Sequence, residues 1–292
     1  VKFARVEALV ARLRVYLELI RFEHTLFALP FAYVGLMLAS GGRFDPAVWL
    51  WVTVAMVGAR TAAMALNRLI DWQIDALNPR TAGRHLPRGL VKPWETLLLA
   101  LAGFGLLTWS AFNLNPLTAR LLPVAVFFLT AYSYTKRFTW TCHFWLGLTI
   151  GAAAAGGWIA QTGSFAPAAF LLWAAVGLWI AGFDILYATQ DYEFDRSHNV
   201  HSLPARFGIP AALKAARWLH LATWVLFVLA GLASGAGVWY YAGVLLVGLV
   251  LYYEHRLVGP DDLSRVNQAF FEANVAVSTS MFFFTLLDVL NR

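Results

Sequence analysis

Nine apolar stretches dominate the chain, each bounded by a short polar or turn-forming segment. They run over 17–40, 46–67, 94–113, 117–135, 142–160, 166–189, 213–233, 237–255 and 269–290, the first still carrying charge in its opening two turns. An apolar run of about 18 to 23 residues is the length an α-helix needs to cross a hydrocarbon core. Gly41-Gly42 with Pro46, Asn115-Pro116, Gly163, Ser234-Gly235 and Gly259-Pro260 punctuate the gaps. No domain linker and no low-complexity segment interrupts the series. The pattern predicts an all-α polytopic membrane protein of about nine transmembrane helices in one bundle, a single integral-membrane domain over residues 1–292. A weak twofold echo runs through it, because a D-x-x-x-D pair follows both the second and the sixth stretch.

Composition sharpens this reading. The chain is 60% hydrophobic, 15% aromatic and 13% charged, with a mean hydropathy of +0.63. Soluble domains carry about 25% charged residues, so too few polar groups remain here to cover a soluble surface. The net charge of +6 and pI near 9.6 do not point to nucleic acid, because no basic stretch is interleaved with polar readers. Cys142 is the single cysteine, which excludes an internal disulfide and a cysteine metal cluster. No cleavable signal peptide is expected, since the first apolar stretch is too long for one and further spans follow at once.

The cations set an orientation. With a cytoplasmic N-terminus, the N-terminal segment and the loops after spans two, four, six and eight carry all of the 22 Lys and Arg except Arg43, Arg60, Arg120 and Arg292. That is the positive-inside bias. Both acidic segments then fall on the cytoplasmic side.

The first acidic segment is NRLIDWQIDALNPRTAGRHLPRG, Asn67 to Gly89. On a helix Asn67, Asp71 and Asp75 share one face, provided the second span runs on past the membrane. Two carboxylates at this spacing repel, and the arrangement makes sense with a cation between them. The second is DILYATQDYEFDRSHNVHSLPARFG, where Asp184, Tyr187, Asp191 and Asp195 again fall on one helical face. Paired carboxylates with open positions suit Mg²⁺, which takes one or two carboxylates, waters and substrate phosphates. Zinc spacings such as H-E-x-x-H or C-x-x-C are absent. Arg80, Arg84, Arg88, Lys136 and Arg137 are suited to phosphate oxygens. Acids, metal and bases describe a diphosphate site, and an apolar bundle suits a diphosphate with a long hydrocarbon tail.

Plainer readings stand beside these. A lone D-x-x-x-D is usually a solvated face, the arginines also serve as orientation signals, and Tyr187 also fits an interfacial aromatic. His24, His143, His198, His201 and His255 read as capping or interfacial groups rather than ligands. Arg60, inside the second span, is either functional or structurally paired. A transporter is the rival from another class, although it predicts charge near the membrane midplane and broken central helices. A phosphatidyltransferase also uses paired aspartates, but its D-G-x-x-A-R motif is missing.

Together the two segments resemble the UbiA superfamily of intramembrane aromatic prenyltransferases. That family carries N-D-x-x-D-x-x-x-D and then D-x-x-x-D, often preceded by Y-A. Asn67, Asp71 and Asp75 match the first; Tyr187-Ala188, Asp191 and Asp195 match the second. The resemblance extends over the nine spans, the Y-x-x-x-K-R of Tyr132 to Arg137, and the S-L-P-A-R-F-G of Ser202 to Gly208. Arg68 stands where the family has its first aspartate, so the number of metal ions is open. The N-R-x-x-D-x-x-x-D-x-x-N-P-R-T pattern, with the early R-F-E-H-T-L-F-A-L-P-F-A, looks like the 4-hydroxybenzoate polyprenyltransferases. It also looks like their relatives in the futalosine branch of menaquinone biosynthesis, whose acceptor is 1,4-dihydroxy-6-naphthoate.

The resemblance implies an enzyme of quinone biosynthesis in the prokaryotic plasma membrane, with its cavity opening to the cytoplasm. Its partners are a polyprenyl diphosphate, an aromatic acid and membrane lipid. It implies Mg²⁺ and diphosphate at Asp71, Asp75, Asp191 and Asp195, with Asn67 orienting them. Arg80, Lys136 and Arg137 would hold the diphosphate. Asp184 and Tyr187 would meet the acceptor ring or guide deprotonation, and Arg21 would meet the acceptor carboxylate. Heme O synthase, a farnesyltransferase of the same superfamily, is the alternative within it.

Overall fold

The computed structural model describes residues 2–21 and 25–292, and His24 lies outside them. No β-strand occurs among the described residues. The helices are α1 (Lys2–Leu19), α2 (Thr25–Ser40), α3 (Pro46–Leu77), α4 (Pro93–Leu114), α5 (Pro116–Thr135), α6 (Cys142–Thr162) and α7 (Pro167–Ala188). Two short helices follow, α8 (Tyr192–Ser197) and α9 (Leu203–Phe207). The chain continues through α10 (Ile209–Ser234), α11 (Val238–Leu257), α12 (Val266–Gln268) and α13 (Asn274–Leu290).

The punctuation in the sequence becomes helix ends. Proline opens α3, α4, α5 and α7, where its missing N–H removes a donor the helix has no partner for anyway. Asp45 caps α3 by accepting from Ala47 N and Val48 N at 3.0 and 3.4 Å. Asn115 does the same for α5, accepting from Leu117 N and Thr118 N. Gly163 and Gly235 close α6 and α10 in the left-handed region, at φ 66° and 64°.

Among the described residues, seven helices are long and apolar enough to cross a membrane: α3, α4, α5, α6, α7 with its continuation to Ser197, α10, and the segment Val266–Leu290. The nine expected spans therefore reduce to seven by this measure. The other two correspond to α2, apolar but shorter, and α11, whose Trp239, four tyrosines, Glu254 and His255 reduce its hydropathy. The expected first span, 17–40, is also divided. Its opening residues belong to α1, which ends at Leu19, and Arg21 turns the chain at φ 48°. The charges of α1 explain the division. Arg12 pairs with Glu95 and Arg14 with Glu18, tying α1 into polar contacts that an apolar span cannot hold.

α7 is the most enclosed of the seven, with 67% of its apolar window buried, against 11% for α5 at the periphery. α7 packs between α6 and α10, α3 on α4, and α13 on α2 and α11. Contact between α2 and α6 is backbone-close. A Cβ at Gly157 would fall 1.9 Å from Ala32 O, and one at Gly35 equally near Ala154 O. Small residues at helix seams are how membrane helices gain packing without a hydrophobic drive between them. Outward, large side chains such as Trp109, Phe112, Phe127, Trp218, Leu232 and Leu249 are exposed. An apolar surface of this extent suits lipid rather than water.

At the end of the bundle where α11 begins, a buried side chain from another helix supplies its cap. Asp288 of α13 accepts from Gly237 N at 2.9 Å and Tyr240 N at 3.3 Å, and Arg292 pairs with it at 2.6 Å.

Candidate active site

α3 has 32 residues. At 1.5 Å per residue it is about 48 Å long, well beyond a hydrocarbon core of about 30 Å. Its last turns therefore extend past the apolar layer, and they carry Asn67, Asp71 and Asp75. The C-terminal ends of α3, α5 and α7 and the start of α6 surround one cavity of about 300 Å³.

The second acidic segment is not one continuous α-helix. α7 stops at Ala188, residues 189–191 form a tight 3₁₀ turn, and α8 resumes at Tyr192. Thr189 Oγ1 donates to Leu186 O at 2.6 Å and secures the tightening. Asp184, Tyr187, Asp191 and Asp195 nevertheless all line the cavity.

Each carboxylate is met by a donor. Asp71 is 1% exposed. It accepts from Asn67 Nδ2 at 2.9 Å, Lys136 Nζ at 2.6 Å and Arg137 Nη1 at 3.2 Å. Both oxygens of Asp75 lie 2.7 Å from Arg84 Nη1. Asp191 takes a two-pronged contact from Arg80 and a further 2.8 Å bond from Asn78 Nδ2. Asp195 Oδ2 accepts from Ser202 Oγ at 2.8 Å. The alternation of acids and bases thus offsets the repulsion expected of carboxylates one turn apart.

Arg80 is the hinge of this arrangement. Its Nη1 donates to Tyr187 Oη at 2.9 Å, and its guanidinium stands 5.0 Å over the Tyr187 ring. Burial opposes the Arg80 charge, but the bonds to Asp191 outweigh it and hold the guanidinium above its ordinary pKa. Tyr187 in turn lies 4.3 Å, centroid to centroid, from Phe270, which a π-helical turn at Ala269–Ala273 places on the cavity wall.

Of the residues expected from sequence, Arg21, Asn67, Asp71, Asp75, Arg80, Lys136, Asp184, Tyr187, Asp191 and Asp195 all line this cavity. Arg137 does not. It lines an adjacent groove with Lys136 and His198, and its Nη2 donates to Ile70 O at 2.6 Å. It therefore braces the end of α3 and Asp71 from behind instead of facing the cavity. Arg68 is buried and donates to Leu19 O at 3.1 Å, fastening the end of α1 to α3.

Asn78 and His143 also line the cavity, in roles the sequence reading did not give them. Asn78 joins the segments, donating to Asp191 while its Oδ1 accepts from Arg80 N at 2.9 Å; its place right after the D-x-x-x-D run was the available signal. His143, expected as a capping or interfacial group, is instead buried. Its Nε2 accepts from Leu203 N at 3.1 Å, so Nδ1 carries the proton and donates to Asp184 at 2.6 Å.

Deeper along α3, α6 and α7 the wall turns apolar, through Met64, Leu146, Ile150, Ile180 and Phe183. The donor set at the charged end is carboxylate and amide oxygen from four aspartates and two asparagines. That set suits a hard divalent cation.

A family model described as the UbiA prenyltransferase family matches residues 28–286. The chain belongs to the UbiA prenyltransferase family. As a UbiA-family prenyltransferase it is 30% identical over 289 residues to a 4-hydroxybenzoate octaprenyltransferase of Nitrosomonas europaea, covering 96% of this chain and 97% of that one. Among solved structures, the apo form of a UbiA homolog from Aeropyrum pernix K1 shares 36% identity at a TM-score of 0.84, covering 91% of this chain and 98% of that one. A UbiA homolog from Archaeoglobus fulgidus bound to GPP and Mg²⁺ has the same fold, with a TM-score of 0.73 at 19% identity, covering 95% and 100%.

Proposed function

We propose that this UbiA-family prenyltransferase moves a polyprenyl group from an allylic polyprenyl diphosphate to a hydroxylated aromatic acid in quinone biosynthesis. The reading rests on one observation above all. Two sets of aspartates, each threaded with cations, meet at the charged end of a cavity whose deeper wall is apolar. The name of the Nitrosomonas relative favours 4-hydroxybenzoate as acceptor. The N-R-x-x-D-x-x-x-D-x-x-N-P-R-T pattern, with R-F-E-H-T-L-F-A-L-P-F-A, also resembles the futalosine-branch relatives and makes 1,4-dihydroxy-6-naphthoate the second candidate.

Asp71, Asp75, Asp191 and Asp195 would hold Mg²⁺, and Asn67 and Asn78 would steady them. When bound, the ion neutralises diphosphate charge and so favours loss of that leaving group. Arg80 and Lys136 already sit on these carboxylates and present N–H donors to phosphate oxygens arriving between them. The allylic C–O bond breaks, and the electron pair leaves with the diphosphate. Phe27, Phe183, Tyr187 and Phe270 offer aromatic faces to the positive charge on the tail. Met64, Leu146, Ile150 and Ile180 keep water from it. The acceptor ring supplies the pair for the new C–C bond and then loses its ring proton. Asp184 accepts that proton, and His143 holds the carboxylate in place through Nδ1–H. Arg21 meets the acceptor carboxylate. The cations gathered at this end support a cytoplasmic-facing site in a prokaryotic plasma membrane.

The test is prenyl transfer by purified protein in liposomes, with a labelled polyprenyl diphosphate and each aromatic acid in parallel. Product that forms with Mg²⁺, stops with EDTA and returns with added Mg²⁺ is the expected result. Mg²⁺-dependent diphosphate binding without product on either acid would overturn the acceptor class. Absence of diphosphate binding would overturn the site.

A further inference from the structure

A second cluster of chemistry-bearing side chains lies away from the cavity, between α7, α10 and α11. It consists of His220, Glu254 and His255, and their ligand atoms all lie within 4.8 Å of one another. None of the three lines the cavity. We propose that they form a buried zinc-type metal site that fastens α10 to α11.

The protonation pattern carries the argument. His220 Nε2 lies 3.2 Å from Trp179 O. A carbonyl only accepts, so Nε2 carries the ring proton and Nδ1 presents a lone pair. That lone pair points into the cluster, 2.9 Å from His255 Nε2 and 3.3 Å from Glu254 Oε2. In neutral rings one proton at most, on His255 Nε2, lies among three acceptor atoms. Glu254 is fully buried, and neither of its oxygens accepts a hydrogen bond. A carboxylate removed from water and left unsatisfied is costly. A cation at the shared focus neutralises the carboxylate and takes one of its oxygens and both imidazoles as ligands at once.

The geometry and chemistry select the metal class. Ligands at Zn–N distances of about 2.0–2.1 Å around a tetrahedral ion stand about 3.3 Å apart, close to the 2.9 and 3.3 Å that separate His220 Nδ1 from His255 Nε2 and Glu254 Oε2. Two imidazoles and one carboxylate suit zinc and its neighbours, whereas Mg²⁺ prefers oxygen throughout. A backbone carbonyl fixing the far nitrogen of a ligating histidine is the usual outer support of such sites. Here the seat is built in. Gly182 leaves room for the His220 ring, since a Cβ there would fall 2.4 Å from it. His255 is half-buried and gives the ion a route in. His255 was expected from sequence as a capping or interfacial group, because its partners lie on a neighbouring residue and on a helix 35 positions earlier.

The experiment measures metal content of the full chain in detergent, before and after titration with Zn²⁺ against excess Mg²⁺, with Co²⁺ as a spectroscopic probe. The expected result is one tightly held Zn²⁺ per chain and a tetrahedral Co²⁺ visible spectrum. Glu254→Gln and His255→Gln should each weaken Zn²⁺ binding at least tenfold. Asp71→Asn, in the acidic cavity, should leave it unchanged. Thermal unfolding provides the second readout: Zn²⁺ raises the midpoint of the wild-type chain and not that of Glu254→Gln. Wild-type protein that binds no Zn²⁺ in excess Mg²⁺ would overturn the proposal. So would Zn²⁺ binding that persists in Glu254→Gln and His255→Gln, or that disappears with Asp71→Asn.

Discussion

Arg80 joins three features that are separate in sequence: the loop after α3, the second acidic segment at Asp191, and the ring of Tyr187. In the proposed reaction its loss would disturb both the carboxylates that hold the metal and the contact to the diphosphate. Arg80→Gln is expected to raise KM for the diphosphate and lower kcat/KM by about 30-fold, the equivalent of about 2 kcal/mol for a charge-assisted contact. Steady-state kinetics in liposomes will check this. Asp71→Asn and Asp191→Asn keep shape but remove charge; each should lower turnover at least about 100-fold while circular dichroism and elution volume stay unchanged. Normal turnover in either would refute the assigned role. The aspartates were legible because four-residue spacing on a helix places them on one face whatever surrounds them. Their donors were not. The pairing of Arg84 with Asp75 and the outward turn of Arg137 depend on loop paths, and the seat of His143 against Asp184 on how α6 packs against α7, and no periodicity encodes either.

Helices show the same division between legible and hidden. Boundaries marked by Pro46, Asn115-Pro116, Gly163 and Gly235 were readable because those residues act through their own backbone limits. The break between α1 and α2 has no proline or glycine, and the turn falls on Arg21 at positive φ. The 3₁₀ turn at Thr189 was equally hidden, since it shifts the helical phase by a fraction of a turn. Two substitutions test helix-level packing. Asp288→Ala removes the cap that α13 supplies to α11 and should cost about 1–2 kcal/mol, seen as a lower unfolding midpoint in detergent. Gly157→Val places atoms where Ala32 O now sits; it should force α2 from α6 and lower the midpoint further than Asp288→Ala does. An unchanged midpoint for Gly157→Val would show that this seam is not held as close as the structure has it.

For the molecule as a whole, the apolar exterior and the polar end of the bundle divide the surface between lipid and water. The cavity repeats that division inside, charged at the ends of α3 and α7 and apolar deeper in. Its two proposed substrates thus arrive from different phases. The aromatic acid is counted in moles per litre of buffer, but the prenyl donor is counted as a fraction of the lipids around the protein. Rates should follow surface-dilution behaviour. Added inert phospholipid, at fixed amounts of enzyme and prenyl donor, should slow a subsaturated reaction even though no bulk concentration of reactant has changed. Kinetics independent of the lipid-to-donor ratio would mean that the donor comes to the cavity through water.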